Sequence, residues 1–241
     1  VLNIQSLSMN QRNYKQQINN AKKIAVKQSK PIALIVPMNF FEKFEMTKKK
    51  ANIELKLRND FLKIVLNNKT KNDAVVASLG NVSRELFVLN EERNEDHSKT
   101  FYTIGAMGHA NQIGLEISLH KKKNTTFILD GDGSVQMHMG NLITIGKNSR
   151  NKIVHILFNN KVHESTGLHY LANEEIDYQM IFKACGYKKI YKINKPMQLS
   201  NILKKKNKGL IAIIIDINPG TIKNLPRPSK KPNYLKSNLK F

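Results

Sequence analysis

The sequence predicts an α/β domain built on a mainly parallel sheet with helices on both faces. Short apolar blocks alternate with segments of helical period from residue 59 to residue 215, and the connections between them are short. The blocks at 153–158 and 210–215 are apolar at nearly every position, which marks strands covered on both faces. A glycine-rich turn follows another block directly, at the carboxyl edge where sheets of this kind bind ligands.

Taken in order, residues 10–28 carry Ile18, Ala21, Ile24 and Ala25 at helical spacing, and 31–36 reads as a buried strand. Residues 1–41 therefore read as the remnant of a separate domain. Ile32, Leu34 and Val36 are expected to leave an apolar face exposed, which would make an isolated fragment prone to aggregate. Residues 42–56 are polar, Lys-rich and aperiodic, the composition of a linker. The main domain spans 57–217. Its predicted helices lie near 59–66, 83–89 and 109–119, from the glycine turn through Met139, near 175–184 and after Pro196. Its predicted strands cover 74–79, 101–104, 125–129, 153–158, 189–193 and 210–215. Residues 218–241 are proline-rich and lack periodicity, and read as a tail lying over a surface or a partner.

The 241 residues are 40% hydrophobic, enough for one or two packed domains. With 40 Lys+Arg against 18 Asp+Glu the formal charge is +22, which raises the question of a polyanion partner. Of the basic residues 34 are Lys and 6 Arg, beside 29 Asn and 11 Ala, the bias of an AT-rich coding sequence. Arg is the residue expected where base edges are read. The runs 48–50, 121–123 and 204–206 fall in loops or at helix ends without interleaved aromatics. A solvated surface is the expectation, with no nucleic-acid partner. The single cysteine, Cys185, excludes an intrachain disulfide and a thiolate metal cluster, and a cytoplasmic setting is expected. The longest aliphatic stretch, 210–215, is six residues and too short for a membrane span. The first residue is Val1, which suggests a fragment or processed product.

The chemistry concentrates in Asp130-Gly131-Asp132-Gly133-Ser134. Two glycines let backbone approach a phosphate closely, and the following helix offers amides. Position 136 is Gln, so the dinucleotide pattern G-x-G-x-x-G fails. Asp132 between the glycines would repel a diphosphate unless a cation lay between them. Mg²⁺ takes hard oxygen ligands and substrate phosphates, so a second oxygen donor is expected from the neighbouring strand end. The strand at 153–158 ends in Asn159-Asn160.

Gly131-Asp132-Gly133, a gap of twenty-five residues, then Asn-Asn after an apolar strand resembles the thiamine-diphosphate-dependent 2-oxo acid decarboxylases. The resemblance implies that Asp132 and the Asn160 side chain bind Mg²⁺ with the Val162 carbonyl as a third ligand. It implies that the backbone from Gly131 through Gly133 to Ser134 receives the diphosphate. Gly105-Ala106-Met107-Gly108-His109 is similar to the loop beneath the cofactor's centre. There Gly105 would accept a hydrogen bond from the aminopyrimidine, and Met107 would prop the two rings into a V. Within the family the resemblance runs furthest to the phosphonopyruvate decarboxylases. It is carried by Ser83-Arg-Glu-Leu-Phe87, Met137-His-Met-Gly140, Phe158-Asn-Asn-Lys-Val-His-Glu-Ser165 and the tail 218–228. Such enzymes release CO₂ from 3-phosphonopyruvate to leave phosphonoacetaldehyde, a step of phosphonate biosynthesis. Thr166-Gly-Leu-His-Tyr170 departs from the family's Gly-Gln-Pro run.

For the remaining roles, Arg84 offers a planar fork suited to a phosphonate, against the alternative of a surface salt bridge with Glu85 or Asp73. His109 and His163 are candidate proton donors, against the alternative of strand-end caps. Glu164 and Ser165 complete the candidate substrate contacts. Residues 57–217 resemble only the diphosphate half of the family's two-domain site. A pyrimidine-binding domain or subunit is therefore the expected partner, in a homo- or hetero-oligomer. No glutamate in 1–41 stands in the context of the one that protonates the pyrimidine, so the chain alone is expected to be inactive. A sulfopyruvate or other 2-oxo acid decarboxylase subunit, a basic polyanion-binding protein and an inactive scaffold remain as alternatives.

Overall fold

The structure is a computed structural model, described for residues 3–42, 55–121, 123–205 and 208–240. The expected linker at 42–56 lies almost wholly outside the described residues, as do Lys48–Lys50, Lys122 and Lys206. The chain divides into two compact units, Val1–Lys49 and Lys50–Phe241.

In the first unit β1 (Gln5–Ser8) and β2 (Ile32–Ile35) pair in parallel, joined through α1 (Tyr14–Gln28). The sequence reading missed β1, because Gln-Ser-Leu-Ser carries no apolar block. Within the unit Ala21 is the buried residue of α1, while Ile18, Val26, Ile35 and Val36 are exposed.

The second unit begins with α2 (Arg58–Asn68), β3 (Ala74–Ala77), α3 (Asn81–Glu92), β4 (Thr100–Tyr102) and α4 (Ala110–His120). It continues with β5 (Thr126–Gly131), α5 (Asp132–Met137), α6 (Asn141–Asn148), β6 (Ile153–Asn159) and a short antiparallel pair, β7 (Val162–His163) and β8 (His169–Tyr170). It closes with α7 (Tyr178–Ala184), β9 (Lys189–Ile193), α8 (Pro196–Lys204), β10 (Leu210–Asp216) and α9 (Pro232–Ser237). The six main strands form one parallel sheet in the order β4-β3-β5-β6-β10-β9.

Alternation along the strands divides the core in two, as a sheet covered on both faces requires. Val75, Phe127, Leu129, Ile156, Ile211 and Ile213 pack with Phe61, Leu62 and Val65 of α2, Leu86 of α3 and Leu199 of α8. Val76, Ile128, Leu157, Ala212 and Ile214 pack on the other face with Leu115 of α4, Leu142 and Ile145 of α6, and Phe182 of α7.

Three readings need correction. The strand expected to be buried at 31–36 has no buried residue, with Ile32 and Leu34 half-buried and Ile35 and Val36 exposed. The helix expected to run from the glycine turn through Met139 stops at Met137, and α6 starts afresh at Asn141. His138 between them is not helical, at φ −135° and ψ 53°, and the Asn141 side chain leaves the helix surface to donate to the Gly108 carbonyl at 2.9 Å. The tail is not irregular throughout, since α9 begins on Pro232, a residue whose fixed φ suits a first helical turn. Among the described residues no helix is long and apolar enough to cross a membrane.

Candidate functional site

Chain direction reverses between β3 and β5: the path leaves β3 for the edge strand β4, then returns to place β5 on the other side of β3. Such a switch opens a crevice at the carboxyl ends of the strands. The segments following β3, β5 and β6 meet there around a hollow of about 70 Å³. Gly131, Asp132, Gly133, Ser134, Asn160, Val162, His163, Glu164, Ser165 and Met107 all line it.

Asp132 is at the centre. It is 3% exposed, and its carboxylate accepts the Gly133 amide on Oδ1 at 2.8 Å and the amides of Asn160 and Lys161 on Oδ2 at 2.9 and 2.6 Å. The sheet register explains the contact: Gly131 pairs with Phe158, so the turn after β5 lies beside the turn after β6. Burial pushes the Asp132 carboxyl up to about 6, against the pull of those three amides and of Arg58. Three of the roughly four lone-pair positions of a carboxylate are occupied, which leaves one on Oδ1. Asn160 Oδ1 accepts the Val162 amide at 3.1 Å, and Lys161 between them takes a left-handed conformation at φ 63°.

Gly133 is a glycine because of His163. A Cβ on Gly133 would lie 2.5 Å from His163 Cε1, so the ring occupies the space of the missing side chain. Nothing lies within 4 Å of the Cβ position of Gly131, whose backbone faces open room.

The Gly105–His109 loop is tied to this turn, since the Gly108 amide donates to Ser134 Oγ at 3.0 Å. Gly105 itself is exposed, at φ 76°. His109 is not among the lining residues. Its Nδ1 faces the Met107 carbonyl at 3.2 Å, and its ring centre is 4.4 Å from that of His138.

Arg84 is also outside the hollow. Its guanidinium donates to the backbone carbonyls of Leu225 and Pro226 in place of the salt bridge to Glu85 or Asp73 considered from sequence. The arginine that does line the hollow is Arg58, which sequence reading missed. It is 3% exposed, reaches Glu164 Oε2 at 2.5 Å and Glu85 Oε2 at 3.4 Å. Glu85 is fully buried, and burial holds its carboxyl above the usual carboxylate range against the attraction of Arg58. The signal was available: Arg58 lies three and four residues before Phe61 and Leu62, on the apolar face of α2.

Among the described residues no group of three or more His, Cys, Asp or Glu could hold a metal. A cation here would rest on one carboxylate, one amide oxygen and the main chain. That set of hard oxygen donors, with open space before Gly131, fits Mg²⁺ and an attached phosphate. A larger cavity of about 330 Å³ lies at the opposite edge of the sheet under Lys123, Lys152 and Lys205, but contains no residue of these motifs.

Fold and site together define a doubly wound α/β domain with an acidic, amide-lined pocket at its switch point. The family description "Thiamine pyrophosphate enzyme, C-terminal TPP binding domain" matches residues 79–217, and the chain belongs to that family. It is 35% identical over 161 residues to a phosphonopyruvate decarboxylase of Streptomyces viridochromogenes, a match spanning 66% of this chain and 39% of the relative. It is 32% identical over 183 residues to the sulfopyruvate decarboxylase subunit beta of Methanococcus maripaludis, covering 74% of this chain and 93% of that subunit. The fold is shared with a 2-oxoglutarate:ferredoxin oxidoreductase from Magnetococcus marinus, with TM-score 0.57 at 13% identity over 76% of this chain and 68% of that one. The matched segment thus spans about two-fifths of the phosphonopyruvate decarboxylase and nearly all of the beta subunit.

Proposed function

We propose that residues 57–217 are the diphosphate- and Mg²⁺-binding half of a thiamine-diphosphate-dependent decarboxylase acting on 3-phosphonopyruvate. Residues 1–41 are read as the end of its pyrimidine-binding domain. The observation that carries the reading is the buried Asp132 carboxylate, bracketed by amides from the turns after β5 and β6 and facing open space at Gly131. Asp132, Asn160 and the Val162 carbonyl would hold the metal, and the backbone of 131–134 the diphosphate. Bound thiamine diphosphate supplies an electron sink for the bond to the departing carboxylate.

The protein's own tasks follow from where its groups lie. The three amides on Asp132 fix its carboxylate, so no reorganisation is needed when a cation arrives. Met107 borders the hollow as a flexible apolar wall. His163, held against Gly133, is the candidate to deliver a proton at the hollow, in preference to His109. Glu164 is committed to Arg58 and serves the site as structure, not as a free acid.

At about 70 Å³ the hollow is well below the roughly 300–1,000 Å³ of a complete small-molecule site. A second domain, supplied on the same polypeptide or as a separate subunit, would complete it. The 93% coverage of a sulfopyruvate decarboxylase beta subunit favours a second reading, in which this chain is one of two subunits acting on sulfopyruvate.

A CO₂-release assay tests both. The 241-residue chain with thiamine diphosphate, Mg²⁺ and either substrate is expected to be inactive alone and to turn over phosphonopyruvate once a pyrimidine-binding domain is added. Turnover of sulfopyruvate only would assign the second reading. Turnover by the lone chain at the reconstituted rate would overturn the half-site.

A further inference from the structure

Segments distant in sequence meet at Glu164. Its Oε2 lies 2.5 Å from Arg58 Nη2 and 2.8 Å from Asn81 Nδ2, and its Oε1 accepts the Gly220 amide at 2.5 Å. Arg58 carries the network on to Glu85, whose Oε1 accepts the Ile222 amide at 3.3 Å. The carboxyl-terminal segment is thereby fastened at successive points. The Asn218 amide and side chain reach the carbonyls of Lys56 and Leu55 at 3.0 and 2.9 Å, and Arg84 holds the carbonyls of Leu225 and Pro226. Arg58 and 218–226 all lie outside the matched residues 79–217.

Glu164 is also part of the turn that shapes the pocket. It follows His163, whose ring fills the space at Gly133, and the same turn begins with the two amides that hold Asp132. A nearly buried carboxylate with charge-assisted donors loses much by moving away from them, so the donors fix the turn. We propose that Arg58 and the segment 218–226 are positioning elements of the cofactor site, setting the 160–165 turn through Glu164 without touching cofactor or substrate. The inference rests on reading this hollow as the cofactor site.

Gly220→Pro deletes the amide that Glu164 accepts, and the native φ of 137° is closed to proline. Glu164→Asp keeps the charge but is one methylene too short to reach Arg58 and Gly220 together. Lys230→Met, which removes the 2.8 Å contact to Glu91 and the ammonium 6.0 Å over the Tyr234 ring, neither of which involves Glu164, is the control. Two readouts are used on the full chain: calorimetric affinity for thiamine diphosphate with Mg²⁺, and amide hydrogen exchange over 159–166. Gly220→Pro and Glu164→Asp are expected to weaken binding by about 10- to 100-fold, the usual effect of removing an outer support of metal ligands. Both should speed exchange over 159–166, while Lys230→Met stays within about twofold of the parent.

Parental affinity and exchange in Gly220→Pro would overturn the proposal; if that variant does not fold, the same result in Glu164→Asp would do so. Should the parent chain bind no thiamine diphosphate, the cofactor reading fails. The exchange measurement then decides the coupling by itself, and unchanged exchange over 159–166 overturns it.

Discussion

The His163 ring stands where a side chain on Gly133 would have to be, with Cε1 2.5 Å from that Cβ position. The turn after β6 is thus seated directly on the turn after β5, and the two cannot be altered independently. Gly133→Ala is expected to displace His163, cost about 1–3 kcal/mol as an overpacked site, and abolish cofactor binding. Thermal denaturation and calorimetry on the variant check this. Full affinity with alanine in place would mean that the two turns do not depend on each other.

Arg58→Met should destabilise the fold by about 3–5 kcal/mol, because it leaves Glu85 and Glu164 buried without their cation. The pH dependence has a definite sign. Burial already holds the Glu85 carboxyl above its usual value, and Arg58 opposes that rise. A raised carboxyl favours the folded state at low pH, and the benefit is lost as pH climbs through the folded value. Removing Arg58 raises the carboxyl further, so the deficit in Tm is expected to be larger at pH 8 than at pH 5. A deficit independent of pH, or larger at pH 5, contradicts the assignment.

Behind the glycine turn, His155 Nε2 lies 3.5 Å from Asp130 Oδ2 with both side chains at 0% exposure, and His155 Nδ1 is 2.8 Å from the Tyr187 hydroxyl. His155→Leu would take the imidazole away from Asp130, whose Oδ1 keeps the Gly131 amide at 3.1 Å while its buried Oδ2 has no hydrogen-bond partner among the described residues. Its loss of stability should exceed that of Tyr187→Phe, which removes a single hydrogen bond worth about 1 kcal/mol. Urea denaturation of the two variants measures the order, and equal losses would show that Asp130 does not depend on His155.

The central strands β3, β5, β6 and β10 were legible as runs of largely apolar residues, and β9 as Ile and Tyr set between lysines. The predicted 153–158 and 210–215 differ from β6 and β10 by a single residue, and 189–193 coincides with β9. The glycine turn and the strand-end asparagines were legible as motifs, and the register of β5 on β6 brings them together. The Arg58–Glu85–Glu164 network was not, because charged residues on helices are ordinarily solvated, and the tail amides that meet these carboxylates lie 56 residues beyond Glu164 and 137 beyond Glu85. Periodicity still held the clue: Val82 and Leu89 flank Glu85 at helical spacing, as Phe61 and Leu62 follow Arg58. The pair β7–β8 was missed because strands of two residues have no pattern to read.

The central claim is that Asp132 and Asn160 hold thiamine diphosphate through Mg²⁺, and calorimetric titration of the parent chain and Asp132→Ala with the cofactor tests it most directly. Saturable binding by the parent, lost on chelation of Mg²⁺ and lost in Asp132→Ala while the circular dichroism spectrum is retained, is the predicted result. Binding by Asp132→Ala with unchanged affinity and unchanged Mg²⁺ dependence would contradict it.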